Sequence, residues 1–294
     1  MRALVTGSAG LIGLELCKQL KNREFYVIGV DNMSRSDKIP DCHEFINCDL
    51  SKSIPLYPDF DIIYHLAAIN GTINFYDRPN DVISNNTRVD LNMFEFAKDC
   101  VNLSKFVYAS SSEMMSHTEI CKENNTIQVD DISNPRWSYK ISKMIGENYL
   151  HNSNLPWVII RYFNVYGSET KSGHIVFDQM QKHKNGLYEV IGPNETRCYT
   201  YIEDAIDATI VVTNKCGLRE TINIGTTEEL SSLEVCKIIA RSLGINDPNY
   251  SYVDGRIGSA KRRVPDISTL IKYYPEYSPI SFSEGITRLD SGSS

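Results

Sequence analysis

Arg2-Ala-Leu-Val-Thr-Gly-Ser-Ala-Gly-Leu-Ile-Gly13 opens the chain, and its reading decides the fold. Ala3, Leu4 and Val5 make a short apolar run of the kind a buried strand carries. Gly7, Gly10 and Gly13 follow at G-x-x-G-x-x-G spacing, with Leu11 and Ile12 between the last two. From Leu11 to Lys21, Leu11, Leu14 and Leu20 fall on one side of a helix. A strand, a glycine turn and a helix in that order form a dinucleotide cradle. The first glycine permits the tight turn, the second admits a pyrophosphate to the backbone, and the third lets helix and strand pack closely. The helix N-terminus faces the anion. An ordinary strand–turn–helix is the plain alternative, and the next strand argues against it. Residues 25–30 end at Asp31, about 20 residues on, where a ribose-binding acid belongs. A carboxylate there accepts the ribose 2′- and 3′-hydroxyls and repels a 2′-phosphate, which favours NAD over NADP. Arg35, just beyond, is the nearby group able to host a phosphate.

The same alternation continues outward. Strands are expected at 44–47 (closed by Asp49), 61–66, 104–109 and 157–161, and helices at 82–101 and 137–151. Strands alternating with helices predict an α/β fold, a Rossmann-type doubly wound parallel sheet. After Gly167 Pro, Gly and polar clusters become frequent, with a strand near 221–225 and a helix near 233–243. Residues 1–166 therefore read as an NAD-binding Rossmann domain, with segments around 197–225 returning to it. Residues 167–290 read as mainly a smaller C-terminal substrate-binding portion, and 291–294 as a disordered tail or an expression scar.

Hydrophobic residues make up 41% of the chain and charged ones 23%, ordinary for a globular protein. A net charge of −7 argues against nucleic-acid and membrane-surface partners. A phosphorylated ligand must then be met by locally concentrated Arg and Lys. The eight cysteines show neither C-x-x-C nor zinc spacing, which suits reduced thiols. With no signal-peptide pattern and no span-length apolar run, the expectation is a cytoplasmic protein.

Ser110-Ser-Ser-Glu113 follows the fifth strand, at the edge where open α/β sheets bind ligands. A hydroxyl there can bond a substrate oxygen and relay a proton, although a helix-capping loop uses the same residues. In Trp137-Ser-Tyr-Lys-Ile-Ser-Lys143, Tyr139 and Lys143 lie one helical turn apart on one face. An ammonium near a phenol favours the phenolate and draws its pKa toward neutrality. Tyr139 is thus a candidate general base or acid. His65 ends a buried strand and reads as structural. The other histidines show no ligand spacing, so no metal site is expected.

Across most of its length the chain resembles the extended short-chain dehydrogenase/reductase family, the nucleotide-sugar epimerases, dehydratases and decarboxylases. Besides the glycine turn and Asp31, the resemblance rests on Asp49-Leu50, His65-Leu-Ala-Ala68, Asn86, Phe106 to Glu113 and Tyr139-x-x-x-Lys143. Further on come Arg161 to Gly167, Thr196-Arg197, Tyr201-Ile-Glu-Asp204, Asn223-Ile-Gly225 and Arg263-Val-Pro-Asp266. It implies that Asp49 contacts adenine and that Ala67, Ala68, Asn86 and Lys143 line the NAD site. Leu11, Ile12, Asn32, Leu50 and Leu66, in or beside the same motifs, fall on the cofactor side too. Ser111 takes the catalytic hydroxyl position, with Tyr139 as base and Lys143 lowering its pKa. Ser112, Asn164, Arg197 and Arg263 fall to the substrate, the arginines to its diphosphate, whose oxygens suit guanidinium forks. Either arginine could equally be an ion-pair residue.

Glu113 stands where similar 4,6-dehydratases and decarboxylases carry a Glu, and Pro135-Arg-Trp137 is similar to the decarboxylase branch. Met115-Ser116 replaces the Tyr-Gly expected there, a thioether for a phenol. The implied activity is NAD-dependent modification of a nucleotide diphosphate sugar through a 4-keto intermediate, leaning to 4,6-dehydratase or decarboxylase. A 4-epimerase is the alternative, then a ketoreductase with net cofactor turnover or a non-catalytic NAD-binding scaffold. The resemblance also implies a homodimer, paired through helices 82–101 and 137–151.

Overall fold

The computed structural model describes residues 1–115 and 120–291. The first half of the chain forms β1 (Arg2–Thr6), α1 (Leu11–Asn22), β2 (Tyr26–Asp31), β3 (Glu44–Asn47), β4 (Ile62–His65), α2 (Thr72–Asp77), α3 (Pro79–Asp99) and β5 (Lys105–Ser111). A 3-10 turn at Ser112–Met114 and α4 (Trp137–His151) follow. Then come β6 (Trp157–Tyr162), β7 (Val165–Tyr166), α5 (Ile175–Lys184), β8 (Glu189–Ile191), β9 (Thr196–Cys198), β10 (Thr200–Tyr201) and α6 (Ile202–Lys215). The chain closes with β11 (Glu220–Ile224), β12 (Glu229–Ser231), α7 (Ser232–Ser242), β13 (Ser251–Val253), β14 (Arg262–Arg263), α8 (Ser268–Tyr273) and α9 (Phe282–Ser291). Of the expected 291–294 tail, Ser291 ends α9 and 292–294 lie outside the described residues.

Successive side chains of a strand point to opposite faces of its sheet. In β1, Ala3 and Val5 enter one core and Leu4 the other, so both faces are covered. That is the setting in which parallel strands occur. Seven strands form one parallel sheet in the order β11-β6-β5-β4-β1-β2-β3. Leu16, Cys17 and Leu20 of α1 and Ala205, Ile206 and Ile210 of α6 fill one face. Val89, Met93 and Phe94 of α3, with Leu150 of α4, fill the other. The later segments form small sheets, β10 with β7, β12-β9-β14 and β13 with β8, while β11 returns to the large sheet beside β6. Helix α7 starts on a capping box: Ser231 Oγ accepts the Glu234 N–H at 3.2 Å, and the Glu234 carboxylate takes the Ser231 N–H at 2.7 Å. All eight cysteines are free. Among the described residues no helix is long and apolar enough to cross a membrane.

Helix α1 lies tight against the glycine loop. A Cβ on Gly13 would stand 2.3 Å from the Gly7 carbonyl oxygen and 2.6 Å from the Ser8 Cα, and neither backbone atom can rotate away. We expect Gly13→Ala to lose about 1–3 kcal/mol by overpacking. Thermal melts should show Tm falling by several degrees, and the purified variant should retain less dinucleotide.

Candidate active site

The cleft opens at the C-terminal edge of the large sheet, where β1 and β4 are neighbours and their connections leave for opposite faces. Gly7 lies there at φ +68°, and a Cβ on it would stand 2.8 Å from the Ala67 nitrogen. Gly10 caps α1 with no side-chain bond, and the first turn holds no acid. The N–H groups of that turn and the positive end of the helix dipole are left for an anion. Asp31 is held by the loop beside it: Oδ2 accepts the Ala9 N–H at 3.0 Å and Oδ1 the Met33 N–H at 2.8 Å. Asn32 accepts the Ser34 N–H at 3.1 Å. The hydrogen bond from Ser51 holds the Asp49 carboxyl below its usual range. These residues line one cleft with Leu11, Ile12, Gly13, Leu50, Leu66, Ala67 and Ala68. Asn86 stands behind the wall. Its amide takes the Ile69 N–H at 2.7 Å and donates to the Ile69 carbonyl at 3.1 Å.

Ser111, Ser112, Glu113, Tyr139, Lys143 and Asn164 line the same cleft. The Ser111 hydroxyl hydrogen-bonds the Tyr139 phenol and also accepts the Glu113 N–H at 3.2 Å. Tyr139 stacks on Phe75 at 4.9 Å between ring centroids. Asn164 has φ +37°, in the left-handed region that Asn tolerates, and donates to the Cys198 carbonyl at 3.0 Å. The phenol expected to be drawn down by Lys143 is instead pushed well up, first of all by burial. The bond from Ser111 and the charge of Arg35 act against that rise, while Glu113 and Asp90 add to it. The Lys143 ammonium lies 6.0 Å from the Tyr139 ring centroid and only 4.4 Å from that of Tyr108. Burial lowers its pKa, against the pull of Asp90 and Glu147. Arg35 also lines the cleft and donates to the Asn70 carbonyl at 2.6 Å.

Arg197 and Arg263 lie side by side in register on β9 and β14, but neither lines this cleft. Arg197 turns to the Thr196 carbonyl at 2.7 Å and Ser259 Oγ at 3.0 Å. Arg263 is buried and forks onto Glu113 at 2.8 and 3.1 Å, while Arg136 reaches both oxygens of the same carboxylate at 2.9 and 3.1 Å. Burial alone would raise the Glu113 pKa; Arg263 and Arg136 more than offset it and hold the carboxyl far below its usual range. Two guanidinium groups beside the carboxylate favour its ionised form. Met115 does not reach the cleft. It is buried with Met114, Cys121 and Phe163, so the thioether fills a small core where a sugar contact was expected. Ser116 lies outside the described residues.

Residues 3–225 match the model of the NAD dependent epimerase/dehydratase family. The chain belongs to this family. A UDP-N-acetyl-alpha-D-glucosaminuronate decarboxylase of Bacillus cytotoxicus is 28% identical, over 97% of this chain and 95% of that protein. A Methanocaldococcus jannaschii protein, provisionally named UDP-glucose 4-epimerase, is 30% identical over 97% of this chain and 96% of its own length. Among solved structures, UDP-glucuronic acid 4-epimerase of Bacillus cereus, in complex with UDP-glucuronic acid and NAD, superposes with a TM-score of 0.84. It is 29% identical, over 99% of this chain and 98% of that one.

The cofactor of the NAD dependent epimerase/dehydratase family fits the residues present. The glycine loop approaches the backbone where a Cβ would collide, the α1 N-terminus is open, and an acid closes β2. In the sequence Arg136 is noted only within Pro135-Arg-Trp137, and Asp90 and Phe75 carry no signal of the site. The bond of Arg136 to Glu113, the stacking of Phe75 on Tyr139 and the approach of Asp90 come only through the fold.

The Glu113 cluster yields a stability prediction. A depressed carboxyl pKa contributes stability that is present above the ordinary value of 4.5 and is lost as pH falls below it. Glu113→Gln removes the charge and leaves two buried guanidinium groups uncompensated. Urea unfolding at neutral pH should show a loss of about 3–5 kcal/mol, narrowing as pH drops below 4.5.

Proposed function

We propose that the protein oxidises C4 of a nucleotide diphosphate sugar to a ketone and then reduces it again, with net epimerisation at C4. Tyr139 takes the proton of the C4 hydroxyl as general base, which requires nearby positive charge and the Ser111 bond to offset the burial that raises its phenol. Ser111, bonded to that phenol, holds the same oxygen and shares the proton. Lys143 keeps positive charge beside the phenol and the cofactor ribose. Bound NAD, held by Gly7, Gly10, Gly13 and Asp31, supplies a hydride acceptor that is regenerated within each turnover. Ser112 and Asn164 are assigned to the sugar side and Arg197 to the diphosphate, with Arg263 behind it sharing its charge with Glu113. The portion from 167 to 290 carries the nucleotide.

The observation that carries this reading is the Glu113 clamp. Loss of water needs an acid for the departing hydroxyl, and Arg263 and Arg136 favour the anionic form of the Glu113 carboxyl in the same cleft. Return of hydride needs only Tyr139, Ser111 and the cofactor. Decarboxylation is the second reading, because a carboxylate beside a 4-ketone leaves without an acid. It is supported by the cations that gather about Glu113: Arg263, Arg136, Arg197 and Lys140. An acidic chain that concentrates positive charge in this way is suited to an anionic substrate.

Incubating the protein with UDP-, GDP-, CDP- and dTDP-sugars and resolving products by mass and chromatography tests the reading. An unchanged mass with a new sugar epimer is expected; loss of carbon dioxide would select the second reading, and loss of water would overturn both. Tyr139→Phe should lower turnover by about 10²–10⁴-fold while bound NAD is retained. Stoichiometric NADH formation would replace the cycle with a one-way dehydrogenase.

We further propose that two copies pair through α3 and α4, whose outward faces expose Leu91 and Ile145. Sedimentation at micromolar concentration should give the dimer mass; a monomer would refute the pairing.

A further inference from the structure

Beneath the cleft lies a set of titratable side chains to which the proposed reaction assigns no role. Asp90, in the middle of α3, is 1% exposed. Its Oδ2 accepts the Tyr108 hydroxyl at 2.5 Å, and its Oδ1 lies 3.0 Å from His65 Nε2. The other ring nitrogen of His65 meets Thr6 Oγ1 at 2.7 Å. That hydroxyl already accepts the N–H groups of Leu66 and Ala67, both at 3.2 Å. It must therefore donate its own proton to Nδ1, which places the ring proton on Nε2, facing Asp90. Burial holds the His65 pKa down, so the ring is neutral and leaves the charge of Asp90 uncompensated.

A buried carboxylate requires a cation. The cationic side chains nearby are Lys143 and Arg161, and the other buried acid is Glu147. Arg161 is taken by Glu147 through contacts of 2.9 and 2.6 Å, and Ser110 donates to the same carboxylate. Lys143 remains. It is 1% exposed, and its ammonium lies over the Tyr108 ring at 4.4 Å from the centroid. The hydroxyl of that ring is the one bonded to Asp90, so ring and carboxylate draw the cation together. Helix α4 is notched to admit them. A Cβ on Gly146 would stand 2.2 Å from the Tyr108 hydroxyl oxygen and 2.8 Å from Asp90 Oδ2.

We propose that Asp90 is the counter-ion of Lys143, acting through the ring and hydroxyl of Tyr108, and is a positioning residue of the site. The catalytic consequence rests on the role given to Lys143 above. The groups facing Asp90 are His65 from β4, Tyr108 from β5, and Tyr139 and Lys143 from α4, with Glu147 also acting on Lys143. Lys143 serves as ammonium, and activity is lost as pH rises through its pKa. Removing the charge of Asp90 lowers that pKa and moves the alkaline limb to lower pH.

The test labels lysine with ¹³C at Cε and follows the Lys143 resonance against pH, assigned by its absence in Lys143→Met. In Asp90→Asn, nearly isosteric, the midpoint should fall by about one pH unit or more. Tyr108→Phe keeps the ring and loses only the hydroxyl. It should shift the midpoint less, in the same direction, and serves if Asp90→Asn melts too early to titrate. Turnover of Asp90→Asn should lose its alkaline limb by the same interval. An unmoved Lys143 midpoint in whichever variant folds overturns the proposal. A moved midpoint with an unmoved turnover profile leaves the counter-ion in place and overturns the role given to Lys143.

Discussion

The fold turns on one close approach, Gly7 against the backbone of Ala67. A Cβ at residue 7 would stand 2.8 Å from the Ala67 nitrogen, so only glycine lets the exits of β1 and β4 lie this near. The connection after β1 leads to α1 on one face, and that after β4 leads to α3 on the other. The crevice between them is a consequence of the strand order, and Thr6 ties its two walls by accepting the Leu66 and Ala67 N–H groups. Asp31 then binds the glycine loop to the strand beyond, through the Ala9 N–H. Backbone contacts therefore shape the cofactor side of the cleft before any ligand-facing side chain is considered.

The chemical side is shaped by compensation of buried charge. Glu147 answers Arg161, Asp90 is assigned to Lys143, and Glu113 answers Arg136 and Arg263 together. Buried ion pairs add little net stability, but breaking one is expensive, so such pairs fix where each group points. This changes the reading of Glu113. In the sequence it stands beside Ser111 and Ser112, where similar dehydratases and decarboxylases carry a Glu; in the fold it is bound by two arginines.

What was legible in the sequence was local. Gly7 to Gly13 is a continuous motif, Asp31 ends the next strand, and Tyr139 and Lys143 share a helix face because they are four apart. The Glu113 clamp joins residues 23 and 150 positions apart, and Asp90 meets His65 across 25. No periodicity encodes those distances. The electrostatic expectation at Tyr139 failed for the same reason: its spacing to Lys143 is visible in the chain, whereas the burial that raises the phenol and the Tyr108 ring that takes the ammonium come from other elements. Helix α6 also escapes the reading. Its run Ala208-Thr-Ile-Val-Val-Thr213 is rich in β-branched residues that suit strands, and packing of Ala205, Ile206 and Ile210 against the sheet overrides that preference.

The segment between β5 and α4 is where this chain departs from the family pattern, and it is tied to the C-terminal portion at several points. The Cys121 N–H donates to the Val264 carbonyl at 2.7 Å, and the Asp266 N–H returns to the Cys121 carbonyl at 2.9 Å. Asn223 bonds both the Cys121 and Asp266 carbonyls, at 2.8 and 3.1 Å. Arg161 donates to the Glu123 carbonyl at 2.9 Å and touches the Met115 sulfur at 3.9 Å. Replacing a phenol by Met115 therefore alters how this segment packs on Phe163 and Cys121 more than what a sugar would meet. With the thioether turned inward, Ser111, Ser112, Glu113, Tyr139 and Asn164 line this part of the cleft. Hydroxyls and one amide beside a carboxylate make that part of the lining polar.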